Sequence, residues 1–522
     1  MFVENLIGKI SSSPKSENEI FNMEPIAGLN LAIYSSSIIE SSGCVFFIAK
    51  ENFNKYLYIT SFNQNKLCEK FNGDEVTKDI SGNYFCLKRC PMNTYNRKEI
   101  QEVFEFTRQQ PIGLVNSFGF GDRLGFANAG HLKSLAGYNF MPILAQQSIR
   151  ELTRTNRTPE DVLDASVWAV FQEGYKNGFG ADADHLKTFA DVDLMVNAGF
   201  ITFTIDPSDY IVNEVESLDK IILKKRVIDL PWKDFNDTSA NLIKRYENER
   251  FDISSGFYIE PSIDEILEAS LKYCRALIHI KNISEYIAST YPKFTYEIEV
   301  SIDETDTVTT AFEHFFIVNE LNRLKVKFVS LAPRFIGDFE KGIDYKGDIE
   351  LFKKEYLKHS AIASHFGFYK LSFHSGSDKF TVYKAVADLK GCLIHIKTAG
   401  TSYLEALKVV AMKDPDLFRE ILDYAVGLYE NEKKTYHVSA DMNKIKSGKD
   451  YKDEELRKLF ESNDVRQALH VTYGRVLTEK NDMSEFAFKN RINDCLIKNE
   501  DLHYQLLIKH FQRHMNPFKN KI

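Results

Sequence analysis

Hydrophobic and polar positions divide the chain into two kinds of pattern. Up to about residue 95, short β-rich runs at 31–34, 44–48, 56–60 and 84–87 alternate with clusters of Asn, Gly, Ser and Asp. That spacing predicts a meander, and so a small β-rich accessory domain over residues 1–95. From about residue 98 strands and helices alternate. Strand candidates fall at 113–118, 140–145, 178–182, 200–205, 296–300, 327–331, 369–373 and 393–397. Helical patterns occupy 97–109, 131–136, 309–324 and 403–412. Another covers 159–177, with Thr158 as N-cap and Pro159 at the first position.

Strands alternating with helices imply a parallel sheet, and eight of them predict an α/β fold, a closed (β/α)8 TIM barrel over residues 96–522. A doubly wound open sheet is the alternative, but Gly119-x-Gly121 lacks the third glycine and the acidic partner of a dinucleotide site. Residues 207–289 separate two strands by more than one crossover helix, which predicts an inserted helical subdomain. Beyond Ala406 a charged helical extension carries two strand-like tags, 436–441 and 469–474. These tags are read as extensions beside the barrel mouth or as a contact between copies in a homo-oligomer. Gly130-His-Leu-Lys-Ser134 echoes Asp184-His-Leu-Lys-Thr188, as repeated βα units would.

Composition narrows the partners. The 522 residues are 43% hydrophobic and 27% charged, with net charge −8 and no basic tail, which argues against a nucleic-acid surface. Seven cysteines at irregular spacing predict reduced thiols in a cytoplasmic protein. No signal-peptide pattern opens the sequence, and no 18-residue apolar window predicts a membrane span.

Barrel chemistry sits at the carboxyl ends of the strands, and those ends are rich here. Asp122 and Arg123 follow the first strand, Gln146 to Ser148 the second, and Asp182, Asp184, His185 and Lys187 the third. Asp303 and Glu304 follow the fifth, Arg334 the sixth, His374-Ser375-Gly-Ser377 the seventh, and Lys397-Thr398-Ala-Gly the eighth. Asp184 beside His185 suits a site where the imidazole holds a divalent ion and the carboxylate takes a proton from a hydroxyl that the ion polarises. Glu297 and Glu299 alternate with Tyr296, Ile298 and Val300; the outward face of a barrel strand meets helices, so the glutamates point into the lumen. The turn after His374 favours a ligand or an anion contact, whereas His395, His437 and His470 are read as packed histidines. The glycine-containing turns after strands seven and eight would expose N–H groups to a phosphate or carboxylate, with charge from Lys379, Lys397 or Arg334. Together these features predict a small, anionic, hydroxylated substrate held at a divalent metal.

Six runs, taken in order, resemble the tagaturonate epimerase family of hexuronate catabolism. They are Gly119-Phe-Gly-Asp-Arg-Leu-Gly125, Phe179-Gly-Ala-Asp-Ala-Asp-His-Leu-Lys-Thr188, Val329-Ser-Leu-Ala-Pro-Arg-Phe335, His374-Ser-Gly-Ser-Asp-Lys-Phe380, Lys397-Thr-Ala-Gly-Thr-Ser402 and Tyr436-His-Val-Ser-Ala-Asp441. The resemblance spans roughly 110–515. More distantly, Asp184-His185, Glu297 with Glu299, and His374 before Ser-Gly-Ser are similar to class II metal-dependent aldolases. Those enzymes carry a further metal-binding His after strand six, where this chain has Pro-Arg-Phe.

The resemblance implies an isomerase that inverts one hydroxyl-bearing carbon of a keto-hexuronate, interconverting tagaturonate and fructuronate. His185 and His374 would hold the metal (Zn, Mn, Ni or a similar divalent cation), Asp184 would accept the proton and Glu299 return one. Asp122, Arg123, Arg334, Ser375, Ser377, Lys397 and Thr398 would bind substrate. The third protein ligand is left open among Asp338, Glu340, His395 and His437. Proton transfer and cleavage of a C–C bond both fit, and an aldolase acting on a keto sugar acid or sugar phosphate is the alternative. A sugar-acid sensor on an inactive barrel is the non-catalytic one.

Overall fold

The computed structural model describes residues 20–22, 30–61, 64–80, 83–367, 369–389, 393–519 and 521. Its N-terminal part is an antiparallel sheet of seven strands: β1 (Ile20–Asn22), β2 (Ala32–Tyr34), β3 (Ile39–Ser41), β4 (Cys44–Glu51), β5 (Asn54–Ser61), β6 (Asp74–Ile80) and β7 (Asn83–Cys90). The order is β1-β2-β4-β5-β7-β6, with β3 on β4. Asn52 and Phe53, both at positive φ, make the two-residue turn between β4 and β5 that matches the twist of a hairpin. Phe46, Ile48, Leu57 and Ile59 pack one face of this sheet onto Trp168 and Phe171 of the barrel helix Pro159–Glu173.

Eight parallel strands then close into a barrel: β8 (Ser117–Phe120), β9 (Met141–Ser148), β10 (Gly180–Leu186), β11 (Thr202–Ile205), β14 (Glu297–Ile302), β15 (Ser330–Pro333), β16 (Lys370–Phe373) and β17 (Ile394–Thr398), with β17 pairing back onto β8. The fold is the (β/α)8 barrel that the alternation predicts. Period two sorts each strand. Phe118, Ala181, Ala183, Phe203, Ile205, Ile298, Val300, Leu371, Phe373, Ile394 and Ile396 belong to the hydrophobic core shared with the outer helices. Each large side chain among them contributes roughly 1.5–3 kcal/mol by leaving water. The alternate positions, among them Asp182, Thr204, Glu299, Ser330, Ser372, His395 and Lys397, fill the lumen and are buried.

Several boundaries differ from the sequence reading. The first barrel strand begins at Ser117, because the residues before it enter the barrel floor, where the Gly113 N–H donates to Glu297. The helix from Pro159 stops at Glu173, where Gly174 turns left-handed at φ 57. β10 runs on to Leu186, so Asp184 and His185 lie on the strand itself. The insertion holds two short helices and also a hairpin, β12 (Phe251–Ser254) with β13 (Phe257–Ile259), before the 28-residue helix Ile263–Thr290. Neither C-terminal tag is a strand. Residues 436–441 join no sheet, and 469–474 belong to the helices Asn463–Val471 and Tyr473–Thr478, whose apolar residues at helical spacing outweigh the β-branched run. The echo at 130–134 lies on a helix while 184–188 opens on a strand, so it marks no shared unit. The last helix, Glu500–Met515, packs Phe511 against Phe118, Phe120 and His131.

No helix among the described residues is long and apolar enough to cross a membrane. The six described cysteines are free and buried.

Candidate active site

At the carboxyl end of the barrel, β10, β14, β16 and β17 each send charged groups to one point. Lys397 is buried at its centre. Its Nζ lies 2.7 Å from Asp182 Oδ2, 2.8 Å from Asp184 Oδ1 and 2.7 Å from Glu299 Oε1, and it donates to Thr204 Oγ1 at 2.6 Å. Burial alone would favour the neutral amine, but the three carboxylates hold this lysine protonated, well above its ordinary value. Burial pushes Asp182 up to about 6, with Asp184 and Glu299 adding repulsion against the pull of Lys397. Burial acts the same way on Asp184 and Glu299, yet Lys397 and the neighbouring histidines take both well below the usual carboxylate range.

The two histidines stand above this floor with ring centroids 5.0 Å apart. His185 takes φ 54, a left-handed conformation uncommon outside glycine, and Ser375 at the end of β16 does the same. His185 Nδ1 hydrogen-bonds Asp184 Oδ1 at 2.8 Å, and its Nε2 lies 3.6 Å from Glu304. His374 Nε2 meets Glu299 Oε1 at 2.7 Å, while its Nδ1 lies 2.9 Å from Asp303 Oδ1 without completing a hydrogen bond. Burial favours the neutral rings, but Asp184 lifts His185 to about 9 and Asp303 lifts His374 to about 10.

Donor atoms of His185, His374 and Asp303 all lie within 4.8 Å of one another. Asp182, Asp184 and Glu299 share Lys397, and Asp303 faces His374, so carboxylates crowd the floor of the cavity. Two imidazoles and a carboxylate with a partnerless buried nitrogen fit a divalent cation in chemistry and in charge. Of the four residues considered for a third ligand, none joins this group. His395 bonds Ser117 inside the lumen and burial takes it down to about 3, Asp338 pairs with His437 at the surface, and Glu340 is held by Lys346, Ser439 and Gln467. A second group, Asp378, His510 and His514, is an internal ion network: Asp378 is paired with Arg466, and His510 bridges Asp378 and Glu405 at 3.0 Å each.

Above the cluster opens a cavity of about 210 Å³, below the roughly 300–1,000 Å³ of drug-sized sites and so suited to a small polar molecule. Of the residues singled out in the sequence, Arg123, Asp184, His185, Arg334, His374, Ser375, Ser377 and Lys397 line it. Asp122 and Thr398 do not. The Asp122 carboxylate accepts the N–H groups of Leu124, Gly125 and Ala127, and Thr398 Oγ1 donates to the Gly119 carbonyl, so both are committed to loop geometry. Glu299 lies one layer down, 1% exposed, and reaches the cavity only through His374 and Lys397. Arg123 is saturated by Glu151 at 3.0 Å and by the Tyr473 ring.

Asp303, Glu304, Arg150, Lys341 and His470 also contribute to the wall. Asp303 and Glu304 were visible as acids just past a strand; Arg150 lies two residues beyond the end of β9. Lys341 and His470 come from a loop and a distant helix and carry no local signal. Lys341 donates to Ser375 Oγ at 2.5 Å. Ala399 and Gly400 bring the N-terminus of the helix Thr401–Lys413 to the same wall with no side-chain cap. Uncapped N–H groups beside Arg334 and Lys341 make an anion-binding rim.

A closed (β/α)8 barrel with acids, histidines and a buried lysine at its carboxyl end, under a cation-rimmed cavity, defines a TIM-barrel enzyme for a small anionic molecule. The chain belongs to the tagaturonate epimerase family, whose family model matches residues 34–518, and it is thus an isomerase of the carbohydrate epimerase class. It is 40% identical over 502 residues to the tagaturonate/fructuronate epimerase of Thermotoga maritima, covering 94% of this chain and 97% of that protein. It is also similar to crystal structures of the fructuronate-tagaturonate epimerase of Cohnella laeviribosi. The one-glycerol complex superposes with TM-score 0.86 at 35% identity over 99% of both chains. The native form does so with TM-score 0.86 at 34% identity over 98% of both chains.

Proposed function

We propose that the protein is a divalent-metal-dependent epimerase interconverting D-tagaturonate and D-fructuronate. The observation that carries the metal dependence is the His185, His374 and Asp303 donor set beneath an anion-binding rim. The sugar acid follows from the activity named for the Thermotoga and Cohnella proteins, which this chain matches along nearly its whole length.

Held by His185, His374 and Asp303, the cation would polarise the substrate's keto oxygen and stabilise negative charge developing there. The other work falls to this chain's side chains. Arg334, Lys341 and the N-terminus of the helix Thr401–Lys413 take the substrate carboxylate and so fix which end faces the histidines. Asp184 lines the cavity in its ionised form, hydrogen-bonded to His185 and to Lys397, and is the carboxylate placed to accept a proton. Glu299 acts from below: it orients His374 through Nε2 and, with Asp182, keeps Lys397 charged. Removal of a carbon-bound proton and retro-aldol cleavage with rotation of the aldehyde both use this geometry. As an enzyme of hexuronate catabolism it belongs in the cytoplasm.

Incubation with D-tagaturonate and Mn2+ or Zn2+ is expected to give D-fructuronate, with loss of turnover after chelation and recovery on adding metal back. Absence of the epimer with every divalent ion tried overturns the reading. In D2O, deuterium at the inverted carbon selects proton transfer, and its absence selects C–C cleavage.

A further inference from the structure

A larger cavity, about 570 Å³, lies away from the active site where the N-terminal sheet meets the barrel and the last two long helices. Two cations in its wall make no direct ion pair with a described carboxylate, although Asp161 and Asp164 line the same wall. Arg157 donates only to backbone carbonyls, Asp122 at 2.5 Å and Asp161 at 2.8 Å, and Lys489 only to the Thr155 carbonyl at 3.1 Å. No described acid lies within ion-pair distance of either, whereas Lys50 and Lys55 in the same wall are neutralised by Glu500. Burial and then the nearby Arg157 pull the Lys489 ammonium below its ordinary value, against the opposing pull of Asp161.

Two further observations point to a ligand. Trp168 and His503, 3% and 2% exposed, belong to the wall, and Trp168 Nε1 and His503 Nε2 have no hydrogen-bond partner among the described residues. Phe126, Leu124, Leu496 and Trp168 give the wall apolar stretches between its polar residues, which include Asp161, Asp164 and Gln172. A place that combines two cations free of direct ion pairs with aromatic and aliphatic stretches fits an anion carrying an apolar body.

The cavity also touches the active site through one loop. Leu124, Gly125 and Phe126 line it, while Arg123, one residue earlier, lines the active cavity. Asp122 ties this loop to itself through three N–H groups and to Arg157 through its carbonyl. Gly125 stands at φ +86, where a Cβ would lie 3.3 Å from Arg157 Nη2. The Asp122 of the sequence motif therefore serves the partition between two cavities.

We propose that this junction cavity is a second ligand site, taking a small amphiphilic anion, whose occupancy reaches the active cavity through residues 122–127. Binding stands independently of the epimerase reading; the transmission rests on it. The chain has two tryptophans, so Trp232→Phe leaves Trp168 as the reporter in the full-length protein. Titration with octanoate is expected to change Trp168 emission saturably, with affinity about tenfold or more higher than for octan-1-ol. Lys489→Gln is expected to weaken octanoate by a similar factor, and saturating tagaturonate to change its affinity only by the factor with which octanoate shifts KM, without displacing it. Arg157→Gln should act alike; because Arg157 also holds the loop, Lys489→Gln is the deciding variant. Equal affinity for octanoate and octan-1-ol, no saturable change, displacement by tagaturonate, or an unchanged Lys489→Gln protein overturns the site. Octanoate should shift KM for tagaturonate in the parent and not in Lys489→Gln; saturable binding with KM unmoved overturns the transmission. Absent turnover without octanoate would instead count against the epimerase reading, since the fluorescence titration needs no substrate.

Discussion

Oδ1 of Asp303 lies 2.9 Å from Nδ1 of His374, yet the two make no hydrogen bond. With His185 these two residues form a group whose donor atoms all lie within 4.8 Å of one another. Asp303→Asn keeps the shape and removes the charge. It is expected to lower metal affinity about 10–100-fold with little change in melting temperature, read by calorimetric titration of stripped protein. Metal affinity equal to the parent's would remove Asp303 from the ligand set.

Protons compete with the metal for the same nitrogens. His185 and His374 hold theirs up to about 9 and about 10 when no metal is bound. Below about pH 9 each ion must displace two protons, so the logarithm of affinity should rise by about two per pH unit. The metal-free chain should behave in the opposite sense. Its histidine pairings stabilise it fully below the unfolded value near 6.5 and are lost as pH rises through 9 and then 10. Titrations at several pH values test this, and an affinity independent of pH between 6 and 8 (roughly the range in which both rings stay protonated) would refute the pairing.

Much of this was legible in the sequence because barrel strands obey a strict rule. Ile298 and Val300 must meet helices, so Glu299 must point inward, and the same logic placed Asp184, His374 and Lys397. Local strand signals found all eight strands to within a few residues. The failures have a common cause. Lys341 and His470 reach the cavity from a loop and from the helix Asn463–Val471, positions set by long-range packing that no spacing reveals. Asp122 and Thr398 follow strands as catalytic groups do, yet their short side chains satisfy the backbone of their own and neighbouring turns instead. Polar residues at a strand end were thus a sound signal for the mouth and a weaker one for each individual role.

Among the described residues, Lys397 is the only side chain that meets Asp182, Asp184 and Glu299 together. Lys397→Met would leave three buried carboxylates facing one another, at a cost of about 3–5 kcal/mol, measurable by urea unfolding. Adding Asp182→Asn should recover part of that loss, giving a coupling of about 0.5–3 kcal/mol in the double-mutant cycle. A Lys397→Met protein within about 1 kcal/mol of the parent, the ordinary size of a single substitution, would contradict the arrangement.

Arg334 lines the cavity, and among the described residues only its backbone has partners: its N–H donates to Thr309 Oγ1 and its carbonyl accepts the Thr309 N–H. That leaves the guanidinium for the substrate. Arg334→Ala should cut kcat/KM by about 10–100-fold, the value of a charge-assisted hydrogen bond, with most of the change in KM and no loss of metal. An unaltered KM would place the substrate carboxylate elsewhere on the rim.

Gly400 precedes the helix Thr401–Lys413 and lies against the ring of His470: a Cβ there would come within 2.0 Å of His470 Cε1 and 2.4 Å of Nδ1. Its backbone needs no left-handed turn, so the glycine is required by contact alone. His470 cannot retreat easily, because Gly342 flanks the same ring. Gly400→Ala should therefore cost about 1–3 kcal/mol as overpacking, seen as a lower melting temperature, and should raise KM by disturbing the anion rim. Combining it with His470→Ala removes the obstructing ring, and the double variant should melt no lower than His470→Ala alone. If Gly400→Ala melts with the parent, or if His470→Ala brings no relief, the close packing of the C-terminal extension onto the active-site wall is not what fixes this residue.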